Sequence, residues 1–407
     1  MTATHPVDLR TGRSVWQARS APPVQHGRLD GDKRTDVLII GAGISGALTA
    51  DALSDAGFGV CIVDRRGPVQ GSTPASTALL QYEIDTPLIT LSARIGVRRA
   101  ERIWRRSKLA LDALRERSTA LGIKADQEDR QSLYLSGNTL NAAALAREAH
   151  ARRRAGFEVA YLTAPDVSSG YGIRRRAALL SFGNLAADPR RLAIGFLRAA
   201  VERGARVFAP ESIDRVVPDA RSVRAITTEG VVIRARWVIF ATGYELAKGV
   251  PRLGHDIAST YVIATRPQTR RIWRDACFIW EASDPYLYVR STADGRVICG
   301  GEDESFADEE RRDALLPAKT IRLQTKLAQL LPGIDARAEF AWCGSFGTSR
   351  TGTPSIGAVP GLPHCFAVLG FGGNGITFSM MAAQLLRAAL TGTGDTDSDL
   401  FSFHRRW

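Results

Sequence analysis

Short apolar runs, glycine-rich turns and amphipathic stretches alternate along this chain. Residues 36–40 end in four consecutive apolar positions, which is typical of a strand buried on both faces, and they lead directly into the glycine-rich segment 41–46. A helix is predicted next, with Gly57 as its C-cap, and a second buried strand at 60–63 ends at Asp64. The order strand, glycine loop, helix, strand and acid predicts a parallel α/β unit.

The remaining pattern predicts further helices and a change to short strands after Gln131. One or two amphipathic helices are predicted across 87–122, and others near 139–155, 189–203, 319–330 and after the GFGGNG turn. Strands are predicted at 132–135, 159–162, 178–182, 205–208, 213–217, 222–227, 231–233, 237–240, 261–264, 278–281, 286–290, 297–299 and 365–369. The change of pattern predicts an inserted α+β module.

The composition fits a globular protein of two packed domains. The chain has 407 residues, of which 44% are apolar and 24% charged, close to the globular average. Its five cysteines are widely spaced without a CxxC pair, which argues against a disulfide framework or a zinc site. The first 30 residues carry no visible secretory signal, so we expect a cytoplasmic protein. Residues 365–386 are uncharged, but the glycines at 370–375 interrupt them, and we expect no membrane span.

The charge balance is basic, with 54 Lys+Arg against 42 Asp+Glu and a net charge of +12. Such an excess can indicate an acidic partner or nucleic acid. The arginines, however, are scattered along the whole chain, and the densest cluster lies at 98–108 in a helical pattern typical of a solvated face. Nucleic acid is therefore not the expected partner.

The glycine-rich segment has the spacing of a dinucleotide-binding loop. In Gly41-Ala-Gly43-Ile-Ser-Gly46 the first glycine permits a tight turn, the second lets the backbone approach a pyrophosphate, and the third lets helix and strand pack closely. Asp64, 18 residues beyond Gly46, can accept hydrogen bonds from an adenosine ribose. The turn at Ala241-Thr242-Gly243 and the amides of Gly375 and Ile376, which can point at an electron-rich flavin edge, favour FAD over NAD.

Several segments together carry a resemblance to a known family. They are VLIIGAGISG with Asp64, GSTPAS at 71–76, Asp188-Pro189, Ala241-Thr242-Gly243, Trp342-Cys343-Gly344 and the carboxyl-terminal GFGGNGITF. On these segments the chain resembles the glycine/D-amino-acid oxidase-like, or DAO, family of FAD-dependent oxidoreductases across about residues 35–390. The sequences SVWQ, PPV and LDGD before the first strand are also similar to the γ-glutamylputrescine-oxidase-like branch.

The resemblance implies an α/β FAD-binding Rossmann-type domain with an inserted α+β antiparallel-sheet substrate domain. We expect FAD-binding segments at 35–125, 186–255 and 336–407 and a substrate domain at 126–185 and 256–335. Residues 1–34 lack periodicity and are predicted to form an arm on the surface. The expected FAD contacts are Gly41, Gly43, Ser45, Gly46, Asp64, Arg65, Ser72, Thr73, Ser76, Ile213, Thr242, Gly243, Gly344, Gly372, Gly373, Asn374, Gly375 and Ile376.

Three positions depart from the family pattern. Some members attach flavin through a cysteine at the position that Gly344 occupies here, so we expect non-covalent FAD and a buried, structural Cys343. Phe346 stands where the amino-acid-oxidase branch has an arginine for the substrate carboxylate. Residues 297–300 lack the lysine that sarcosine-oxidase-like members carry for oxygen activation, which leaves the electron acceptor open.

The substrate-pocket candidates are aromatic or basic, and each could equally be a core aromatic or a surface charge. They are Tyr82, Tyr286, Tyr288, Arg290, Phe346 and Arg350, of which the residues at 286, 288 and 290 alternate on one strand and share a face. No residue is identified as a catalytic acid or base, because hydride loss from a carbon beside nitrogen needs mainly positioning and a neutral amine.

The expected activity is FAD-dependent oxidation of a C–N bond in an amine or N-substituted amino compound, giving an imine that water hydrolyses. The expected partners are this small molecule and oxygen or another electron acceptor. One alternative is a flavin dehydrogenase that passes electrons to a carrier. Another is a basic flavoprotein acting on RNA, which tight and steeply salt-dependent tRNA binding would favour.

Overall fold

Two β-sheets form the frame of the molecule. The computed structural model describes residues 3–4, 6–268 and 273–405. In this part the strands are β1 (Arg10–Gly12), β2 (Lys33–Ile40), β3 (Val60–Val63), β4 (Leu79–Leu80), β5 (Glu128–Leu135), β6 (Val159–Thr163), β7 (Ala177–Ala186), β8 (Arg206–Phe208), β9 (Ile213–Pro218), β10 (Val223–Thr227), β11 (Val232–Phe240), β12 (His255–Thr265), β13 (Phe278–Glu281), β14 (Leu287–Ser291), β15 (Val297–Glu304), β16 (Ala338–Ser349), β17 (Ser355–Ala358) and β18 (Cys365–Leu369).

The helices pack on both sheets. In the same described ranges they are α1 (Ile44–Asp55), α2 (Leu88–Ile95), α3 (Val97–Ala120), α4 (Ala142–Arg154), α5 (Ala164–Tyr171), α6 (Pro189–Glu202), α7 (Glu309–Leu330), α8 (Gly375–Thr391) and α9 (Ser398–Phe401).

The first sheet contains the predicted parallel unit. Its order is β17-β18-β11-β2-β3-β8, with β10 beside β11 and β9 beside β10, and the strands from β18 to β8 run parallel. Residues 37–39 and 60–63 are at most 2% exposed, because α1, α3, α6 and α8 pack on one face and the β9–β10 hairpin lies on the other. The predicted strands at 231–233 and 237–240 are one strand, β11, which pairs along its length with β2.

The second sheet is largely antiparallel and places one face toward the first sheet. Its order is β1-β16-β12-β15-β14-β13-β5-β7-β4, with β6 paired to β7. Helix α7 covers the opposite face through Leu323 and Leu327, which pack against Tyr261 and Cys343. β16 belongs to this sheet, whereas the expected division grouped all residues from 336 with the FAD-binding segments. The domain division itself remains a proposal.

The amino-terminal arm is tied into both sheets. β1 pairs antiparallel with β16, and a bridge joins Gly27 to Phe208 of β8. Val15 and Trp16 are 2% and 1% exposed. The predicted surface arm is therefore buried in part, because apolar side chains that lack local periodicity find their partners far along the chain.

Two helices differ from the sequence predictions. α5 was not predicted, although Thr163 and Asp166 form a capping box at its start. α7 begins ten residues before the predicted helix and continues through Pro317. Asp308 caps it by accepting a hydrogen bond from the amide of Arg311. The negative charges of Glu309 and Glu310 in the first turn interact favourably with the positive end of the helix dipole.

The densest basic cluster is largely neutralised by neighbouring carboxylates. Arg102 pairs with Asp397 at 2.9 Å, and Arg106 pairs with Asp395 at 3.1 Å. Lys108 lies 2.6 Å from Asp112 on the same helix. In the described ranges no helix combines the length and apolar character needed to cross a bilayer.

Candidate active site

Residues of both sheets line a cleft that collects most of the predicted FAD contacts. The cleft holds about 1970 Å³ of empty space, part of it open to solvent. The predicted FAD contacts that line it are Gly41, Gly43, Ser45, Asp64, Arg65, Ser72, Thr73, Ser76, Ile213, Thr242, Gly243, Gly344, Gly372, Gly373, Asn374, Gly375 and Ile376. Of the predicted substrate residues, Tyr286, Tyr288 and Phe346 line it.

Each of the three positions in the loop requires glycine for a different structural reason. Gly41 has φ +114°, and a Cβ there would lie 2.3 Å from the carbonyl oxygen of Ala241. A Cβ on Gly46 would lie 1.9 Å from the carbonyl oxygen of Gly41, so Gly46 serves internal packing and is not among the lining residues. A Cβ on Gly43 would approach Thr73 Oγ1 at 3.2 Å. Gly43 thus keeps a stretch of backbone open to the cleft.

Helix α1 begins at this loop without a side-chain cap. Gly43 is its N-cap, and its first turn contains no acidic residue. The amide of Ile44 donates to Thr73 Oγ1 at 3.0 Å, and Ser45 Oγ lies 2.8 Å from Ser379 Oγ. The helix therefore presents backbone amides and the positive end of its dipole to the cleft, as pyrophosphate binding requires.

Asp64 is held in place by backbone amides. Its Oδ2 accepts from the amide of Ala42 at 2.8 Å. Its Oδ1 accepts from the amides of Arg66 at 2.8 Å and Gly67 at 3.0 Å. Because Oδ2 accepts only one of these hydrogen bonds, it can still accept another from a ribose hydroxyl.

Arg65 and Arg66 lie at the same end of the cleft and share one carboxylate. Both guanidinium groups pair with Glu245. Burial lowers the pKa of Arg65, and the charge of Glu245 opposes that effect. Ile213, 5% exposed, lies at this end as part of the core beneath β9. These two arginines are the basic side chains among the described lining residues.

Two buried tryptophans fix the segment from Ser72 to Ser76 against the second sheet. The indole of Trp16 donates to the carbonyl oxygen of Ser76 at 2.7 Å, and that of Trp342 donates to Ala75 at 2.9 Å. A Cβ on Gly344 would lie 3.3 Å from the Cβ of Ala75. The absence of a side chain at 344 therefore allows β16 to approach this segment.

The GFGGNG turn brings a carboxylate into the cleft that the sequence analysis did not identify. Asp85 Oδ2 accepts from the amide of Gly373 at 2.7 Å. A Cβ on Gly372 would lie 2.9 Å from Asp85 Oδ2, so the glycines permit this approach. Asn374 donates to the carbonyl oxygen of Glu83 at 2.8 Å, which ties the turn to the segment before Asp85.

Beyond this turn the cleft has a compartment lined by aromatic rings of the second sheet. The rings of Tyr286 and Tyr288 have centroids 5.7 Å apart, and Trp280 and Phe346 complete the lining. A Cβ on Gly300 would lie 2.3 Å from the Tyr288 ring, so a glycine is required where this ring crosses β15. We call these four aromatic residues with Thr260 and Asp85 the aromatic compartment.

Asp303 adds a second carboxylate behind this lining. The hydroxyls of Tyr286 and Thr260 lie beside it and lower its pKa, but burial dominates and raises that pKa to about 6. Asp85 is exposed to the cleft that it lines, yet desolvation by the surrounding protein raises its pKa, an effect that the Gly373 amide opposes. Asp303 Oδ1 is buried without a hydrogen-bond partner among the described residues. This end of the cleft therefore has two acidic side chains, and the described lining residues beside them include no lysine or arginine.

Arg290 does not reach the aromatic compartment. It shares a face of β14 with Tyr288, as predicted, but it is 3% exposed. Its guanidinium donates to the carbonyl oxygens of Ala78 at 2.6 Å and Ala187 at 3.0 Å. Burial lowers the pKa of Arg290 to about 9. It is therefore a structural cation under the segment before β4.

Two other pocket candidates also lie outside the lining. Tyr82 is 1% exposed, and its ring stacks on Phe157 with centroids 5.4 Å apart. Arg350 is exposed in the turn between β16 and β17, and its carbonyl oxygen accepts from Arg94 at 2.5 Å. Three residues that were not predicted from the sequence line the compartment instead: Asp85, Thr260 and Trp280.

Cys343 points away from the cleft. It is fully buried in the core beneath α7, and its Sγ lies 3.5 Å from Asp313 Oδ1 and 3.9 Å from the carbonyl oxygen of Thr11. Burial raises the pKa of the thiol to about 11. Gly344, its neighbour, occupies the cleft wall, so a reactive thiolate is not placed there.

Comparison with known proteins agrees with this geometry. The DAO family model, described as FAD dependent oxidoreductase, matches residues 36–389. The chain belongs to the DAO family of FAD-dependent oxidoreductases. FAD is therefore its cofactor, and the open backbone at Gly43, the uncapped start of α1 and the fixed carboxylate of Asp64 fit the pyrophosphate and ribose that FAD would bring.

Relatives of this DAO-family protein are distant but match over most of its length. Gamma-glutamylputrescine oxidoreductase of Escherichia coli is 23% identical over 376 residues, which cover 88% of this chain and 84% of that relative. The probable oxidoreductase OrdL of Haemophilus influenzae is 19% identical over 380 residues, with the same coverage. Both relatives are consistent with the expected branch.

Solved structures show the same fold. Glycine oxidase from Geobacillus kaustophilus has a TM-score of 0.75 at 20% identity, covering 92% of this chain and 100% of that one. L-α-Glycerophosphate oxidase from Mycoplasma pneumoniae, solved with FAD bound, has a TM-score of 0.73 at 15% identity, covering 92% and 100%. The predicted combination of a Rossmann-type FAD-binding domain with a second sheet domain is thereby confirmed.

Proposed function

We propose that this DAO-family enzyme oxidises the C–N bond of an amine or N-substituted amino compound to an imine, which water hydrolyses. FAD, when bound, accepts the hydride equivalent lost from the carbon beside the nitrogen. The aromatic compartment adjoins the glycine turn that would meet the flavin, and its side chains hold the substrate there and exclude water.

The observation that carries this proposal is the absence of a basic side chain from the described lining of the aromatic compartment. Phe346 occupies the position expected for a carboxylate-binding arginine, Arg290 is bonded to backbone carbonyls, and Arg350 lies outside the lining. A free amino acid would place its carboxylate near Asp85 without a cationic partner. An amine without a free α-carboxylate fits better.

A substrate panel tests the proposal. The holoenzyme is mixed anaerobically with amines, N-methyl amines and free amino acids, and bleaching of the flavin absorbance is recorded. We expect bleaching with amines and little with glycine or D-alanine. Efficient reduction by the free amino acids, with amines inert, would refute it. Repeating the active substrates under air and with an artificial acceptor decides between oxygen and another carrier.

The RNA-acting alternative has less support. The basic residues at 102, 106 and 108 pair with neighbouring carboxylates, which reduces their attraction for phosphate. We expect filter binding to detect no tight tRNA complex at low salt. We also propose a cytoplasmic location, since the five cysteines are free and buried, as in proteins of a reducing compartment.

A further inference from the structure

Neither Asp85 of the aromatic compartment nor Asp303 behind it forms a salt bridge among the described residues, although the charge of Lys319 acts on Asp303. Glu302 and Glu304, on either side of Asp303, both pair with Lys319 of α7. Because successive side chains of a strand point to opposite faces, Asp303 lies on the other face of β15, beside the hydroxyls of Tyr286 and Thr260. Asp85 accepts a hydrogen bond from the backbone amide of Gly373 rather than from a cationic side chain.

The aromatic side chains around these carboxylates also favour a bound cation. The faces of Tyr and Trp rings attract ammonium groups, most strongly where water is excluded. Tyr286, Tyr288 and Trp280 line one compartment with Asp85, and the described lining there has no lysine or arginine to compete. Asp303 does not line the compartment, but it lies directly behind Tyr286 and Thr260 and adds a second acidic group close to the bound cation.

This cation cannot be the nitrogen that is oxidised. Hydride loss from the adjacent carbon needs a neutral amine with a free lone pair, whereas a neighbouring carboxylate stabilises the protonated ammonium. One nitrogen held as an ammonium and another kept neutral near the flavin satisfy both requirements. This step rests on the proposed function.

We propose that the aromatic compartment is a subsite for the distal ammonium group of a diamine-type substrate, with Asp85 as its direct ligand and Asp303 as a second negative charge behind Tyr286 and Thr260. The preferred substrates carry two amine nitrogens separated by a flexible chain, and a distal carboxylate is rejected by charge repulsion.

Binding of a non-oxidisable cation tests the subsite independently of turnover. Tetramethylammonium is titrated into the holoenzyme, and the change in flavin absorbance gives its Kd. We expect Asp85→Asn to raise this Kd on the order of 10-fold, because the asparagine keeps an acceptor for the Gly373 amide and loses the charge. Asp303→Asn should raise it less. The control Glu229→Gln removes a surface carboxylate that is 61% exposed and should leave the Kd unchanged.

Kinetics on substrates of matched length provide the second test. We compare kcat/KM for 1,5-diaminopentane, 1-aminopentane and 5-aminopentanoate, whose distal groups are positive, apolar and negative. We expect a preference for the diamine on the order of 10- to 100-fold over the monoamine, and Asp85→Asn should reduce this ratio toward one. An unchanged ratio in both the Asp85 and Asp303 variants would overturn the subsite. If none of the three amines reduces the flavin, the proposed function fails, and the tetramethylammonium Kd still decides on the subsite.

Discussion

Replacement of Gly43 separates cofactor binding from folding. Gly43 has φ −81° and ψ −168°, extended values that any residue adopts, and the atom that a Cβ would approach is Thr73 Oγ1 at 3.2 Å. Valine in place of this N-cap glycine should therefore cost the fold only about 1 kcal/mol. The same side chain occupies the space that a pyrophosphate needs above the first turn of α1.

The expected change in Tm follows from the free energy by which bound FAD stabilises the native state. FAD at 100 times its Kd stabilises the native state by about 2.7 kcal/mol, so excess FAD should raise the Tm of the wild-type apoprotein by a few degrees. In Gly43→Val this shift should vanish, and the purified protein should be colourless with a normal circular dichroism spectrum. The measurements are the flavin-to-protein absorbance ratio and Tm with and without added FAD.

Two further glycines complete the experiment. Gly333→Val serves as the matched control, because a Cβ there has open space, and the variant should stay fully loaded with flavin. Gly46→Ala should instead destabilise the apoprotein, since its Cβ would lie 1.9 Å from a carbonyl oxygen. If folded Gly43→Val retains one flavin per chain, the assignment of the glycine loop to the pyrophosphate is wrong.

Three other outcomes are expected. Acid precipitation should release all flavin into the supernatant, because Cys343 faces away from the cleft; colour in the pellet would contradict this. Burial and the charge of Arg405 lower the pKa of His255 to about 4 from 6.5. The folded state therefore favours the neutral imidazole, which contributes about 3 kcal/mol to the free energy of unfolding above pH 6.5; this contribution is lost as the pH falls toward 4. Denaturant titrations at several pH values should show this slope flattened in His255→Gln. Arg290→Ala should lower the denaturation midpoint without altering the substrate preference between amines and amino acids. A changed preference would show that Arg290 contacts the substrate.

Local constraints made the nucleotide-binding half predictable. The requirements at Gly41, Gly43 and Gly46 act between neighbouring residues of one strand, turn and helix, so their spacing carries the information. Asp64 follows from the same unit, because β3 runs parallel to β2 and ends at the same edge. These positions line the cleft, apart from Gly46, which packs inside the loop.

The substrate end depends on contacts between distant segments. Alternation along β14 placed Arg290 on the correct face, but the carbonyl groups of Ala78 and Ala187 bind it away from the compartment. Tyr82 became a core residue because Phe157 stacks on it. Asp85 has no periodic or motif signal, and its role emerges only where the turn at Gly373 meets it.

The pairing of β1 with β16 sets a limit on when the cleft can be completed during synthesis. Arg10 lies opposite Gly344, so more than 330 residues separate two neighbours in the finished sheet. At ribosomal speeds of about 5 to 20 residues per second, β1 waits roughly 15 to 70 s for its partner. The wall that contains Gly344 therefore forms only after β16 has been synthesised, and a nascent chain has to keep its amino-terminal segment unpaired until then.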